Sequence, residues 1–98
     1  MQVDKGRMIR EVLTRLAKLS EGEALFLQPF KKDRVVCLVL VNGVVRVVER
    51  GFVEKDYVVE VRKLKKELKI LCRREFPRSN KVWLQCLTRE EVGEFLKK

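Results

Sequence analysis

Asn42-Gly43, set between two runs of aliphatic residues, constrains this chain more than any other feature. A two-residue connection with positive φ at both positions matches the twist of an antiparallel strand pair. Asn followed by Gly supplies both angles at little steric cost. Residues 34–41 and 44–50 are therefore read as the arms of a hairpin. The turn also sets the register, with Val41 opposite Val44, Val39 opposite Arg46 and Cys37 opposite Val48. Alternation then puts Val35, Cys37, Val39, Val41, Val44, Arg46, Val48 and Arg50 on one face. The other face carries Val36, Leu38, Leu40, Val45, Val47 and Glu49. Both faces are apolar, so both need cover, from helices of the same chain or from a second protein. A homodimer, or a protein partner docked on this valine-rich hairpin, is one way to supply it.

Around the hairpin the apolar spacing changes from two to three and four. Met8, Ile9, Val12, Leu13, Leu16 and Leu19 fall on one side of a helix that Gly22 ends near Ser20-Glu21. Arg7, Arg10, Glu11, Thr14, Arg15 and Lys18 form its solvated side. Residues 24–28 read as a short strand, with Pro29 marking an exposed edge or the strand's end, and Lys31-Lys32-Asp33 as a turn. A second helix is expected over 54–75, with Asp56 as one cap and Tyr57, Val58, Val61, Leu64, Leu68, Leu71 and Cys72 on its apolar side. Val59 falls outside that stripe, so 57–61 also fits a strand, whereas the helix from Arg62 onward is firm. Residues 76–81 carry turn chemistry and 82–87 alternate as a strand. Thr88 and Glu91 have the capping-box spacing, ahead of a closing helix with Val92, Phe95 and Leu96.

The chain of 98 residues is the size of one domain, 1–98. Its expected class is α+β, in the order α-β-β-β-α-β-α. The sheet is expected to have four mostly antiparallel strands, with helices packed mainly on one face. The fourth strand belongs beside the first, in spatial order 4-1-2-3, and parallel to the first and third if the crossover is simple.

Function is argued from charge. Lys and Arg total 23 against 14 Asp and Glu, a net charge of +9 that favours a polyanionic partner. A charged fraction of 38% with few side-chain amides also fits the composition of proteins from hot environments, for which charge serves stability. The cations concentrate where the second helix is firm. Arg62, Lys63, Lys65, Lys66, Lys69, Arg73 and Arg74 spread over the side away from Leu64, Leu68 and Leu71, and Arg78 and Lys81 extend them. Such a surface tracks the phosphates of RNA or DNA without reading sequence. Phe76 and Trp83 lie near the basic segment and would stack on a base if exposed, although Trp83 reads first as a core or partner-facing residue.

Other chemistries find little support. With no histidine, the usual general base and the commonest zinc ligand are missing, and no metal or cofactor is expected. Glu49, Glu54 and Asp56 are the nearest approach to a carboxylate cluster and read as solvated turn acids. An RNA-cleaving site built on Tyr57 and Arg46 is permitted but not indicated, so the chain is read as non-enzymatic. Cys37, Cys72 and Cys86 fall on apolar positions as reduced thiols, with a Cys37–Cys86 bridge as the alternative. The longest apolar run, 35–41, is far short of the ~20 residues of a membrane span, and no apolar leader segment opens the chain. A cytoplasmic protein with no membrane partner is expected.

In element order alone, helix, three-strand meander and helix over 7–75 resemble the small subunits that bind the Alu region of signal recognition particle RNA. That resemblance implies RNA binding. The strand and helix after Pro77 depart from it, and no residue role is transferred.

Overall fold

The computed structural model describes residues 1–29, 34–51, 54–75 and 81–97. Strands β1 (Gln2–Asp4), β2 (Ala24–Pro29), β3 (Val35–Val41), β4 (Val44–Arg50), β5 (Lys55–Glu60) and β6 (Lys81–Leu87) form one antiparallel sheet. Helix α1 (Lys5–Leu16) follows β1, α2 (Leu64–Glu75) follows β5 after a 3-10 turn at Val61–Lys63, and α3 (Arg89–Lys97) closes the chain. The class is α+β, as expected. The expected turn at Lys31–Asp33 and the loop after α2 lie outside the described residues.

The hairpin is as the Asn-Gly turn requires. Asn42 has φ 49° and Gly43 φ 77°, and Val41 pairs with Val44, Val39 with Arg46 and Cys37 with Val48. Its two faces enter two cores. Val36, Leu38, Val45 and Val47 pack with Met8, Val12 and Leu16 of α1 and with Leu64, Leu68 and Leu71 of α2. Cys37, Val39 and Val48 pack with Ala24, Leu87 and Val92, joined by the half-buried Phe95 and Leu96 of α3. The helices are therefore split between the faces, two against one, which agrees with helices mainly on one face and adds α3 on the other. Val92, Phe95 and Leu96 need an apolar surface, and the second hairpin face is the one left open.

The sheet has six strands rather than four, in the order β1-β6-β2-β3-β4-β5. Both additions are edge strands. Residues 55–60 pair with β4, so the helix expected over 54–75 begins only at Leu64. Tyr57, Val58 and Val59 are strand formers, and an available edge on β4 decides a segment that fits either period. Asp56 is accordingly no helix cap. It opposes Val48 and binds Arg46 on the same face. The added strand reverses the chain once more, so β6 runs antiparallel to β2, not parallel. It also breaks the helix–meander–helix order, since four strands now separate α1 from α2. Pro29 ends its strand, but β2 lies inside the sheet, between β6 and β3.

The remaining differences are local. The first helix stops at Leu16, and Leu19 packs on the core from the following turn. Gly22, at φ 87°, reverses the chain into β2. At α3 the capping box forms as spaced. The Glu91 amide donates to Thr88 Oγ1 at 3.3 Å, and the Thr88 amide donates to Glu91 Oε1 at 3.0 Å.

Candidate nucleic-acid interface

Two helices share the outer layer on one side of the sheet. Cys72 Sγ lies 3.8 Å from Met8 Sδ, which sets the last turn of α2 against the early turns of α1. The chain direction agrees: α1 returns from the end of β1 to the start of β2, and α2 runs the opposite way. The two are antiparallel neighbours, and their solvent sides form one surface. On α2 the buried residues Leu64, Leu68, Leu71 and Cys72 leave Lys65, Lys66, Lys69 and Arg73 exposed, continuing from Lys63 in the preceding turn. On α1 the burial of Met8, Val12 and Leu16 leaves Arg7 and Arg10 exposed.

The sequence-predicted cations do not all belong to this surface. Lys63, Lys65, Lys66, Lys69 and Arg73 have no acidic partner among the described residues. Arg62 does, since its Nε lies 2.6 Å from Glu60 Oε2, with both side chains well exposed. Such a pair is weak in water and is given up readily to a phosphate. Lys81 opens β6 and, by alternation from the buried Val82, sits on the opposite side of the sheet. Arg78 lies outside the described residues.

Arg74 is committed elsewhere. Its Nε donates to Glu49 Oε1 at 3.1 Å and its Nη2 to Glu49 Oε2 at 2.5 Å. Tyr57 Oη donates to the same Oε2 at 2.7 Å. Glu49 is fully buried, not a solvated turn acid, because β5 and α2 close over it and bring a cation and a phenol with them. Burial, then the Glu49 carboxylate, raises the Tyr57 pKa, and the hydrogen bond to Glu49 raises that of Arg74. The phenol is thus held protonated and the guanidinium charged.

A cleft of about 470 Å³ opens above the cluster, lined by Lys55, Asp56, Tyr57, Glu67, Ile70 and Arg74. Its charges are of both signs, and the carboxylate beneath has no surface for a substrate to reach. The geometry fastens α2 to the sheet. Arg46 lies on the other face, bidentate to Asp56 at 2.9 and 2.6 Å, so Tyr57 and Arg46 do not converge. That rules out the joint site considered from sequence. Among the described residues no three acids or cysteines gather as metal ligands.

The cations of the hairpin are also used. Arg50 Nη1 donates to the Phe95 carbonyl at 2.7 Å, and its guanidinium stands 4.4 Å from the Phe95 ring centroid. One side chain thus serves the end of α3 by a hydrogen bond and by a cation–π contact.

The three thiols are free. Cys37 and Cys72 are buried, and burial pushes each up to about 11. Cys86 is exposed, against expectation, because the N-terminal strand bonds to β6 only as far as Leu84 and leaves the rest of β6 as an edge among the described residues. No described helix is long and apolar enough to cross a membrane. No protein-family model matches the chain, and no curated protein or solved structure matches it.

Proposed function

We propose that this protein is a non-enzymatic module that binds the sugar–phosphate backbone of RNA or DNA through the solvent side of α1 and α2. One observation carries the reading. Lys65, Lys66, Lys69 and Arg73 of α2, with Lys63 of the turn before it, stand exposed with no acidic partner among the described residues. Closely spaced cations without counter-charges attract mobile anions, and a polyphosphate that replaces them releases ions to solution. Docking through the valine-rich hairpin, by contrast, draws no support from its faces, since the chain's own helices already cover most of its apolar side chains.

The test is fluorescence anisotropy with labelled single- and double-stranded RNA and DNA at low and moderate salt. Saturable binding that weakens with salt is expected. The triple variant Lys65→Glu, Lys66→Glu, Lys69→Glu is expected to lose it while keeping the parent's circular-dichroism melting curve. A triple variant that binds like the parent refutes the assignment to α2.

A further inference from the structure

The sheet face away from α1 and α2 is covered by α3 only over the hairpin and the adjoining ends of β2 and β6. Toward β1 it ends in Trp83, the only tryptophan of the chain, 38% exposed. In register, Trp83 has Gln2 of β1 on one side and Gln28 of β2 on the other. Gln85 follows two residues along β6 and therefore shares the face. The chain has three glutamines, at 2, 28 and 85, and three different strands bring all of them around this one ring. Phe26 stands opposite Gln85 and meets Phe95 of α3 edge-on, with centroids 5.8 Å apart. Phe26, Gln28, Trp83 and Gln85 help line a shallow hollow of about 160 Å³.

We propose that this patch is a stacking platform for an unpaired nucleobase, which makes the ligand a single-stranded RNA or DNA. The inference rests on the phosphate-binding reading above and deepens it. An indole face stacks on any base, and the exposed primary amides of Gln2 and Gln85 offer donors and an acceptor of the kind a base edge presents. In a chain with 38% charged residues, a neutral amide cluster around one aromatic ring suits a planar, neutral, hydrogen-bonding ligand.

Charge is supplied nearby. Lys81 is exposed two residues before Trp83 on the same face, and its register partner Asp4 leads directly into α1. The contact of Cys72 with Met8 brings the last turn of α2, with Arg73, to that same end of the molecule. The basic layer and the tryptophan patch therefore meet at one end, and the shortest dimension of the fold is only 23 Å. A strand with phosphates on Arg73 and Lys81 can turn over this end and lay a base on Trp83. A duplex keeps its bases stacked within itself and cannot.

Because Trp83 is the only tryptophan, its emission reports on this patch alone. The experiment titrates the full chain with a short oligouridylate, an oligothymidylate and a duplex of equal length, following Trp83 emission and label anisotropy together. Single strands are expected to quench Trp83 saturably and the duplex not to. Trp83→Ala should weaken single-strand binding roughly tenfold and leave duplex binding unchanged. Trp83→Phe should keep most of the affinity, and it checks for loss through misfolding.

Single strands that bind by anisotropy without altering Trp83 emission overturn the platform and leave the phosphate reading standing. Quenching that persists in the Lys65, Lys66, Lys69→Glu variant supports the platform and removes the phosphate reading. No binding by any strand overturns both. A Trp83→Ala variant that converts a dimer to a monomer in sedimentation, with no quenching in the parent, assigns the patch to a second copy and overturns the proposal.

Discussion

A carboxylate enclosed beneath a sheet costs several kcal/mol unless its charge and lone pairs are met, and Glu49 has both met by Arg74 and Tyr57. The two partners of the ion pair are not equally placed. The Glu49 side chain is 0% exposed, whereas that of Arg74 is 26% exposed and can turn to water. Arg74→Met is therefore expected to cost about 3–5 kcal/mol in urea unfolding, because it takes the bidentate cation from a buried carboxylate. Glu49→Leu should cost clearly less, and equal losses would show that the pair is not the element holding α2. The thiols give a second prediction at this scale. At pH 8 iodoacetamide should label Cys86 quickly and Cys37 and Cys72 only on unfolding, as mass spectrometry would show. Both buried thiols are raised from 9.0 to about 11, so the neutral form is the one the fold favours. The stability linked to them is complete below pH 9, declines as pH rises toward 11, and should appear as a falling melting temperature across that window. The sequence placed Glu49 on a face of the hairpin but read it as a solvated turn acid, because the partner that lets it be buried, Arg74, is 25 residues away. Periodicity on α2 cannot tell a cation facing water from one facing the sheet's edge.

At the scale of elements, the hairpin was legible down to each cross-strand pair because turn geometry and alternation act between near neighbours in the chain. Gly43 carries that geometry. A Cβ there meets no atom within 4 Å, so Gly43→Val strains the backbone at φ 77° without a clash. The expected loss is about 1–2 kcal/mol in thermal or urea unfolding, and an unchanged stability would refute the positive-φ assignment. The α3 capping box was legible for the same local reason. Strand β5 was only half legible, because Tyr57, Val58 and Val61 fit a helical stripe as well as a strand. Strand β1 was not legible at all. Three residues with one apolar side chain carry no period, and only the free edge of β6 makes them a strand. As an edge, β5 is protected by charge. Lys55, Asp56 and Glu60 surround the 63% exposed Val58, which discourages pairing with another chain.

For the molecule as a whole, the prediction concerns salt. If Lys63, Lys65, Lys66, Lys69 and Arg73 each neutralise a phosphate of a single strand, log K against log salt should fall with a slope of about −3.5. Removing any one of these cations should lessen the slope by about 0.7, whatever the base sequence. A slope near zero would transfer binding to apolar contacts and away from the helical layer. The basic character of α2 was visible in sequence, whereas the exposure of Trp83 was not, since its alternation fits a core position equally well. Their relative placement was not visible either, nor was the meeting of Gln2, Gln28 and Gln85 around that ring. By itself the sequence determined the features whose causes span a few residues: the Asn-Gly turn, the hairpin's register and faces, the apolar stripes of α1 and α2, and the cap of α3. Tertiary structure alone decided which strands form the sheet's edges, which cation is spent on Glu49, and which residues share the Trp83 face. The reason is physical: each of these depends on a pairing between distant segments, whose gain exists only once the chain has folded.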